Sequence, residues 1–292
     1  MAPGETKQAV KTELHLLRSG AIPVAPGYLF RDRASNLPEA LGRGVKKSER
    51  IVIPIGAFLI EHPSEGPILV DTGLHPVVVS SPEKNMGRVL AVAVRGLRLS
   101  ADETVPERLR RAGIEPREIR TVVMTHLHLD HSSAMSEFPN ARFVTTREEW
   151  RAARSRLRAL RGYVRSHLPS ESAFDFAEFA AGRPWQGLER TVDLFADGSI
   201  RLVSTPGHSV GHFSVLVETG KGPVFLLGDA VYTLRNLHED RLPWRTASDQ
   251  DSLASMRQLR AYAEAHPDVP LIPSHDPEVW DAFAGPRGDL DR

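Results

Sequence analysis

The chain has 292 residues, and its 37 Lys and Arg are balanced by 37 Asp and Glu, so no net field draws it to a polyanion or an anionic membrane. It contains no cysteine, which excludes disulfide frameworks, thiolate zinc sites and cysteine nucleophiles together and leaves the redox compartment open. The length suits one large layered domain with a sizeable core, or two small ones.

Residues 1–11 are polar and lack the apolar core of a secretory signal, so a flexible tail and an intracellular, cytoplasmic protein are expected. Residues 12–24 read as a first strand, broken by Pro23, Pro26 and Gly27, and the polar, Gly-rich residues 31–50 as a surface excursion. A second strand over 51–60 turns through Pro63-Ser64-Glu65-Gly66 and returns over 67–70 to end in Asp71-Thr72-Gly73. The longest apolar stretch, 89–99, is interrupted by Arg95. It falls far short of the roughly 20 residues needed to cross a bilayer, which makes it a core or lip segment. A helix is expected over 102–112, closed by Gly113 and followed by Pro116.

The β-branched run Thr121-Val122-Val123-Met124 reads as a buried strand. Beyond it, Thr145 and Thr146 stand three residues before Glu148 and Glu149, a capping-box signal for a helix that would place Trp150, Ala153, Leu157, Leu160 and Val164 on one face. Seven arginines between Arg147 and Arg165 would mostly fall elsewhere. The neutral total charge favours a solvated helix surface over an RNA-binding face. Residues 174–187 gather Phe174, Phe176, Phe179 and Trp185, read as satellite core ahead of a substrate wall.

Residues 199–204 form another expected strand, running into Thr205-Pro206-Gly207-His208. A second hairpin, 213–218 and 223–227 around Thr219-Gly220-Lys221-Gly222, ends in Gly228-Asp229 as the first ended in Asp71. This suggests two related halves whose polar residues meet at strand ends. An amphipathic helix over 248–265, with Leu253, Met256, Leu259 and Ala263 in phase, precedes the short strand Leu271-Ile272-Pro273 that delivers Ser274-His275.

The chemistry concentrates in Thr125-His126-Leu127-His128-Leu129-Asp130-His131, four potential metal ligands in six residues directly after an apolar strand. Imidazole and carboxylate both suit Zn²⁺ and similar divalent ions, and so dense a cluster can serve two. His208, Asp229 and His275 each follow an apolar run of their own, bringing the candidates to seven. His15, His62, His75, His167, His238 and His266 lack such a context and read as surface or core histidines.

These motifs resemble those of the metallo-β-lactamase superfamily, an α/β fold in which two mixed sheets flanked by helices form an αββα sandwich. The resemblance runs from about residue 58 to 280 and rests on Leu69-Val70-Asp71-Thr72-Gly73, the HxHxDH-type stretch, Thr205-Pro206-Gly207-His208 with Gly211-His212, Gly228-Asp229 and Ser274-His275. It implies a single domain over 1–292 with a dinuclear site: His126, His128 and His208 on one ion, Asp130, His131 and His275 on the other, Asp229 bridging. Zn²⁺ suits such ligands first, with Co²⁺, Mn²⁺ or Fe²⁺ also fitting. Asp71 would steer a ligand rather than be one, and His212 would be structural.

Within the superfamily the chain is most similar to the N-acyl homoserine lactonases, through Gly228-Asp229-Ala230-Val231-Tyr232 and Ser274-His275-Asp276. The resemblance implies a small-molecule lactone substrate, no nucleic-acid or membrane partner, and compatibility with a homodimer. Water shared by the ions would attack the lactone carbonyl, Tyr232 would stabilise the oxyanion and Asp130 would protonate the leaving alkoxide. Residues 31–50 and 77–99 are expected to shape the pocket. The rivals are other hydrolases of the superfamily, acting on esters, β-lactams, thioesters or phosphotriesters, a nuclease, and a non-catalytic metal-stabilised domain.

Overall fold

The computed structural model describes residues 10–31, 37–40, 42–92 and 94–283. Twelve strands form two six-stranded sheets. The first runs β1 (Glu13–Val24), β2 (Ile51–His62), β3 (Gly66–Val70), β4 (Thr121–Val123), β5 (Arg142–Thr145) and β6 (Phe174–Phe176). The second contains β7 (Arg183–Trp185), β8 (Leu188–Asp193), β9 (Ile200–Ser204), β10 (Phe213–Thr219), β11 (Gly222–Gly228) and β12 (Leu271–Pro273), neighbouring one another in that order. Both sheets are mixed: β1 to β3 and β7 to β11 pair antiparallel, whereas β3 to β6 and β11 with β12 pair parallel.

The central strands β3, β4 and β11 are nearly continuously apolar because both faces of each sheet are covered there. Ile68, Val70, Val123, Val215, Val217 and Leu226 point into the layer between the sheets, closed at one end by Trp280. Their sequence neighbours face outward, as the two-residue period of a strand requires. Leu69 and Val122 meet Leu109 and Trp150 outside the first sheet, and Leu216 and Phe225 meet Met256 and Leu259 outside the second. Helices therefore cover both outer faces, and the αββα sandwich expected from the sequence is the fold.

The two halves repeat. An antiparallel hairpin (β2 and β3; β10 and β11) is followed in each half by a parallel strand (β4; β12), and an aspartate stands at each hairpin's end.

Three local expectations change. The helix expected over 102–112 is a 3₁₀ turn, Ala101–Glu103, and a helix, Val105–Arg111, with Pro106 in its first turn. The helix after Thr146 ends at Arg154, so the expected face is broken: Leu157 and Leu160 are 57% and 76% exposed while Trp150, Ala153 and Val164 are buried. The chain leaves the helix at Ser155, whose backbone is extended (φ −63°, ψ 162°), and further on the left-handed Gly162 (φ 87°) presents its carbonyl to the Leu129 amide at 3.0 Å. The tail expected over 1–11 lies outside the described residues except for Val10 and Lys11, which are held, the Val10 amide by the Asp197 carbonyl and Lys11 by Glu218.

Two arginines of the arginine-rich segment are engaged locally. Arg147 meets Glu171 and lies over Phe176, and Arg154 lies over Trp150. The aromatic segment is divided rather than clustered: Phe174 joins the core outside the first sheet, Phe179 packs on the inter-sheet core, and Trp185 packs beside the outer core of the second. No described helix is long and apolar enough to cross a membrane.

Candidate metal centre

The C-terminal ends of β3, β4, β9, β11 and β12 converge on one edge of the sandwich. Backbone bonds lock them: the Asp71 amide to the Val123 carbonyl at 2.8 Å, Ser274 to Gly228 at 3.1 Å, and, from one sheet to the other, Phe213 to Thr125 at 3.2 Å. All seven ligand candidates named from the sequence meet here.

Asp229 is the hub. Its Oδ2 lies 3.8 Å from His126 Nε2, 3.4 Å from His208 Nε2 and 3.4 Å from His275 Nε2, and its Oδ1 lies 3.3 Å from His131 Nε2. On one side His128 Nδ1 and His208 Nε2 stand 2.8 Å apart. On the other, Asp130 Oδ2 is 3.8 Å from His131 Nε2 and 3.6 Å from His275 Nε2. Ligand atoms thus gather in overlapping groups, His126/His128/His208, His126/His131/Asp229 and Asp130/His131/His275, each within 4.8 Å.

The donor set fits divalent cations. His126 Nε2, His131 Nε2 and Asp229 Oδ1 are buried with no hydrogen-bond partner, an arrangement costly unless a cation satisfies them. Burial first, and neighbouring imidazoles next, hold His126 and His128 well below the usual histidine range, and burial brings His208 to about 4. These rings are therefore neutral at pH 7, with lone pairs to offer. Burial also pulls on His131, but the Asp229, Asp71 and Asp130 carboxylates outweigh it and hold the ring well above its usual value. That is the field of a site built for positive charge.

Supporting residues fix the tautomers. Asp71 Oδ2 takes a hydrogen bond from His131 Nδ1 at 2.7 Å, leaving Nε2 toward the site, while the same carboxylate receives the Thr125 amide and hydroxyl. Asp71 does so from a left-handed backbone (φ 62°), a strained conformation for a residue with a Cβ. The Pro54 carbonyl accepts from His275 Nδ1 at 2.9 Å. His212 Nε2 accepts the Asp229 amide at 2.9 Å while its Nδ1 side meets the Thr205 carbonyl. Gly228 leaves room for this contact, because a Cβ there would stand 2.7 Å from His212 Nε2. Asp71 and His212 thus act as the sequence led one to expect.

Two supporting residues escaped the sequence. Glu149, read only as half of a capping box, is buried, and its carboxylate accepts the Leu127 amide at 3.0 Å, the Ser209 hydroxyl at 2.7 Å and the Gly211 amide at 3.1 Å. It clamps the two histidine loops together. The capping box is accordingly half formed: Thr146, not Thr145, caps the helix by accepting the Glu149 amide, and the Glu149 side chain is occupied elsewhere. Burial raises the Glu149 carboxyl above its usual range despite these donors.

The other is Tyr28, whose ring stacks on Tyr232 with centroids 5.6 Å apart. Tyr232 in turn stands edge-on to His208 at 5.4 Å and to His275 at 5.2 Å, between the two ligand groups. Burial, then the neighbouring Tyr28 and Asp229, hold the Tyr232 hydroxyl well above 10, so it keeps its proton at any working pH. Val78, Met86 and Val94 share its apolar cluster, which brings part of 77–99 beside the centre; of the other segment expected to shape the pocket, 31–50, residues 32–36 and 41 lie outside the described residues.

The chain is 33% identical over 276 residues to the N-acyl homoserine lactonase AttM of Rhizobium radiobacter, covering 92% of this chain and 95% of that one. Among solved structures it superposes on an N-acyl homoserine lactone hydrolase holding the product N-hexanoyl-L-homoserine at its catalytic metal centre, with a TM-score of 0.73 and 23% identity over 94% of this chain and 97% of that one. It also superposes on AidC, a dizinc quorum-quenching lactonase, with a TM-score of 0.64 and 18% identity over 92% and 89% of the two chains. Residues 52–275 match the Metallo-beta-lactamase superfamily, and since that span runs from β2 through His275 and takes in every strand-end ligand candidate, the chain belongs to that superfamily and is one of its hydrolases.

Proposed function

We propose that the protein opens the ring of N-acyl homoserine lactones at a dinuclear metal centre. The observation that supports this most directly is the position of Tyr232 between His208 and His275, three residues after the hub aspartate, in a chain similar over 92% of its length to a lactonase. His126, His128 and His208 would hold one ion and Asp130, His131 and His275 the other, with Asp229 between them. Bound there, two divalent ions would supply water acidified from a pKa of about 15.7 toward 7, together with Lewis-acid polarisation of a carbonyl.

The remaining work belongs to side chains. Tyr232, protonated and fixed by its stacking partner, donates to the oxyanion that develops as the lactone carbonyl is attacked. Asp130 takes the proton released by the attacking water and passes it to the leaving alkoxide as the ring C–O bond breaks. Asp71, His212 and Glu149 hold the ligands in register without entering the chemistry.

A hydrolysis panel tests the reading: metal-loaded protein with acyl homoserine lactones, a simple lactone, a β-lactam, a thioester, a phosphotriester and a short RNA. Acyl homoserine lactones are expected to react fastest, with release of acid. Rapid cleavage of the thioester or RNA with all lactones ignored would overturn the assignment while leaving the fold untouched.

Tyr232→Phe separates binding from chemistry. Removing a hydroxyl that acts mainly in the transition state should lower kcat by about 10-fold or more, with KM changed much less and metal content intact. An unaltered kcat on the best substrate would reduce Tyr232 to a packed aromatic.

A further inference from the structure

Arg245 stands at the rim of the centre with nothing assigned to it. The loop carrying it is pinned on both sides, by the Trp244 amide on the Tyr28 carbonyl at 2.9 Å and by the Ala247 amide on the Gly207 carbonyl at 2.7 Å and the His208 carbonyl at 3.1 Å. One neighbour of Arg245 is thus tied to the tyrosine stacked on Tyr232, and another to a ligand histidine.

The guanidinium reaches inward across Gly162. A Cβ at that glycine would lie 2.9 Å from Arg245 Nη1 and 3.5 Å from His128 Cδ2, so the guanidinium and the His128 ring flank the same point. Its charge is felt both by His128 and by the Tyr28 hydroxyl. Other arginines nearby are paired: Arg31 with Asp249, Arg235 and Arg241 with Glu239, and Arg260 with Asp240. Arg245 forms no ion pair among the described residues, and it is half-buried. Half-burying a cation beside buried histidines is unfavourable unless it finds an acceptor, and its planar fork of N–H donors suits two oxygens at once.

We propose that Arg245 is a specificity residue that reads the acyl arm of the substrate and favours N-(3-oxoacyl) homoserine lactones. The inference rests on the lactonase reading. With the lactone carbonyl over Asp229, the arm leaves the centre across its rim. A plain acyl arm offers the guanidinium one amide oxygen; a 3-oxo arm offers two carbonyl oxygens in a 1,3 relation, and rotation about the methylene between them lets both face the fork together. No bond is made or broken at this position.

The test uses full-length, metal-loaded protein and two variants, Arg245→Met, which keeps the stem, and Arg245→Lys, which keeps the charge without the fork. The measurements are kcat/KM for N-(3-oxohexanoyl) and N-hexanoyl homoserine lactone, calorimetric affinity for the two ring-opened products, and metal content. In Arg245→Met the loss on the 3-oxo lactone should exceed the loss on the hexanoyl lactone by about 10-fold or more, carried mainly by KM, with product affinities shifting in the same ratio. Arg245→Lys should recover only part of it. Equal losses on both substrates and both products would overturn the inference and leave the lactonase reading standing. Failure of the unsubstituted protein on both lactones would overturn the lactonase reading itself, and this inference with it.

Discussion

Replacing His128 by alanine is expected to lower activity and metal content together. His128 Nδ1 and His208 Nε2 approach to 2.8 Å, the distance of an N–H···N hydrogen bond, so the two rings face each other and a cation displacing that proton would draw on both lone pairs. On the proposed ligand set, an ion there would keep only two imidazoles and the Asp229 carboxylate without His128, and its polarisation of the carbonyl would weaken. Such polarisation supplies several kcal/mol of transition-state stabilisation, so kcat/KM should fall on the order of 10³-fold.

Metal analysis should approach two ions per chain in the unsubstituted protein and drop clearly in the variant, with thermal unfolding confirming that the sandwich persists. A stable content of one ion per chain with full activity would sink the two-ion mechanism. So would a His128→Ala protein that keeps both its metal and its rate.

The ligand candidates stood out in the sequence because they follow strands: His126, His128, Asp130 and His131 after β4, and His208, Asp229 and His275 after one strand each. A β-branched run that ends in a histidine or aspartate is a local signal, and five such ends on two parallel-edged sheets must meet at one rim. Glu149 gave the opposite experience: its local signal, a capping box, was real but incomplete, since the amides of Leu127 and Gly211 that claim its carboxylate lie 22 and 62 residues away. Tyr28 lies outside every motif and reaches Tyr232 only through the fold. The helix expected to run to Val164 stopped at Arg154, where Ser155 turns extended, and the segment beyond is held by a distant contact, the Gly162 carbonyl accepting the Leu129 amide. Local pattern carries what strand ends deliver; contacts made between distant loops leave no periodic trace.

Asp130 offers the sharpest division between holding and reacting. Its side chain is 25% exposed where that of Asp229 is 4% exposed, so of the two it alone can exchange protons with solvent between turnovers. Asp130→Asn keeps the shape and one oxygen ligand but removes the proton carrier. At saturating metal, kcat on an acyl homoserine lactone should fall by about 10²–10⁴-fold. The matching thiolactone is the control: its leaving thiolate, with a pKa of about 8.5 as for a cysteine side chain, departs without help, whereas an alkoxide does not. The thiolactone should therefore lose far less in the variant than the oxygen lactone. If the two substrates lose the same factor and the metal content falls with them, Asp130 serves only as a ligand beside His131 and His275, and the proton must reach the alkoxide by way of solvent.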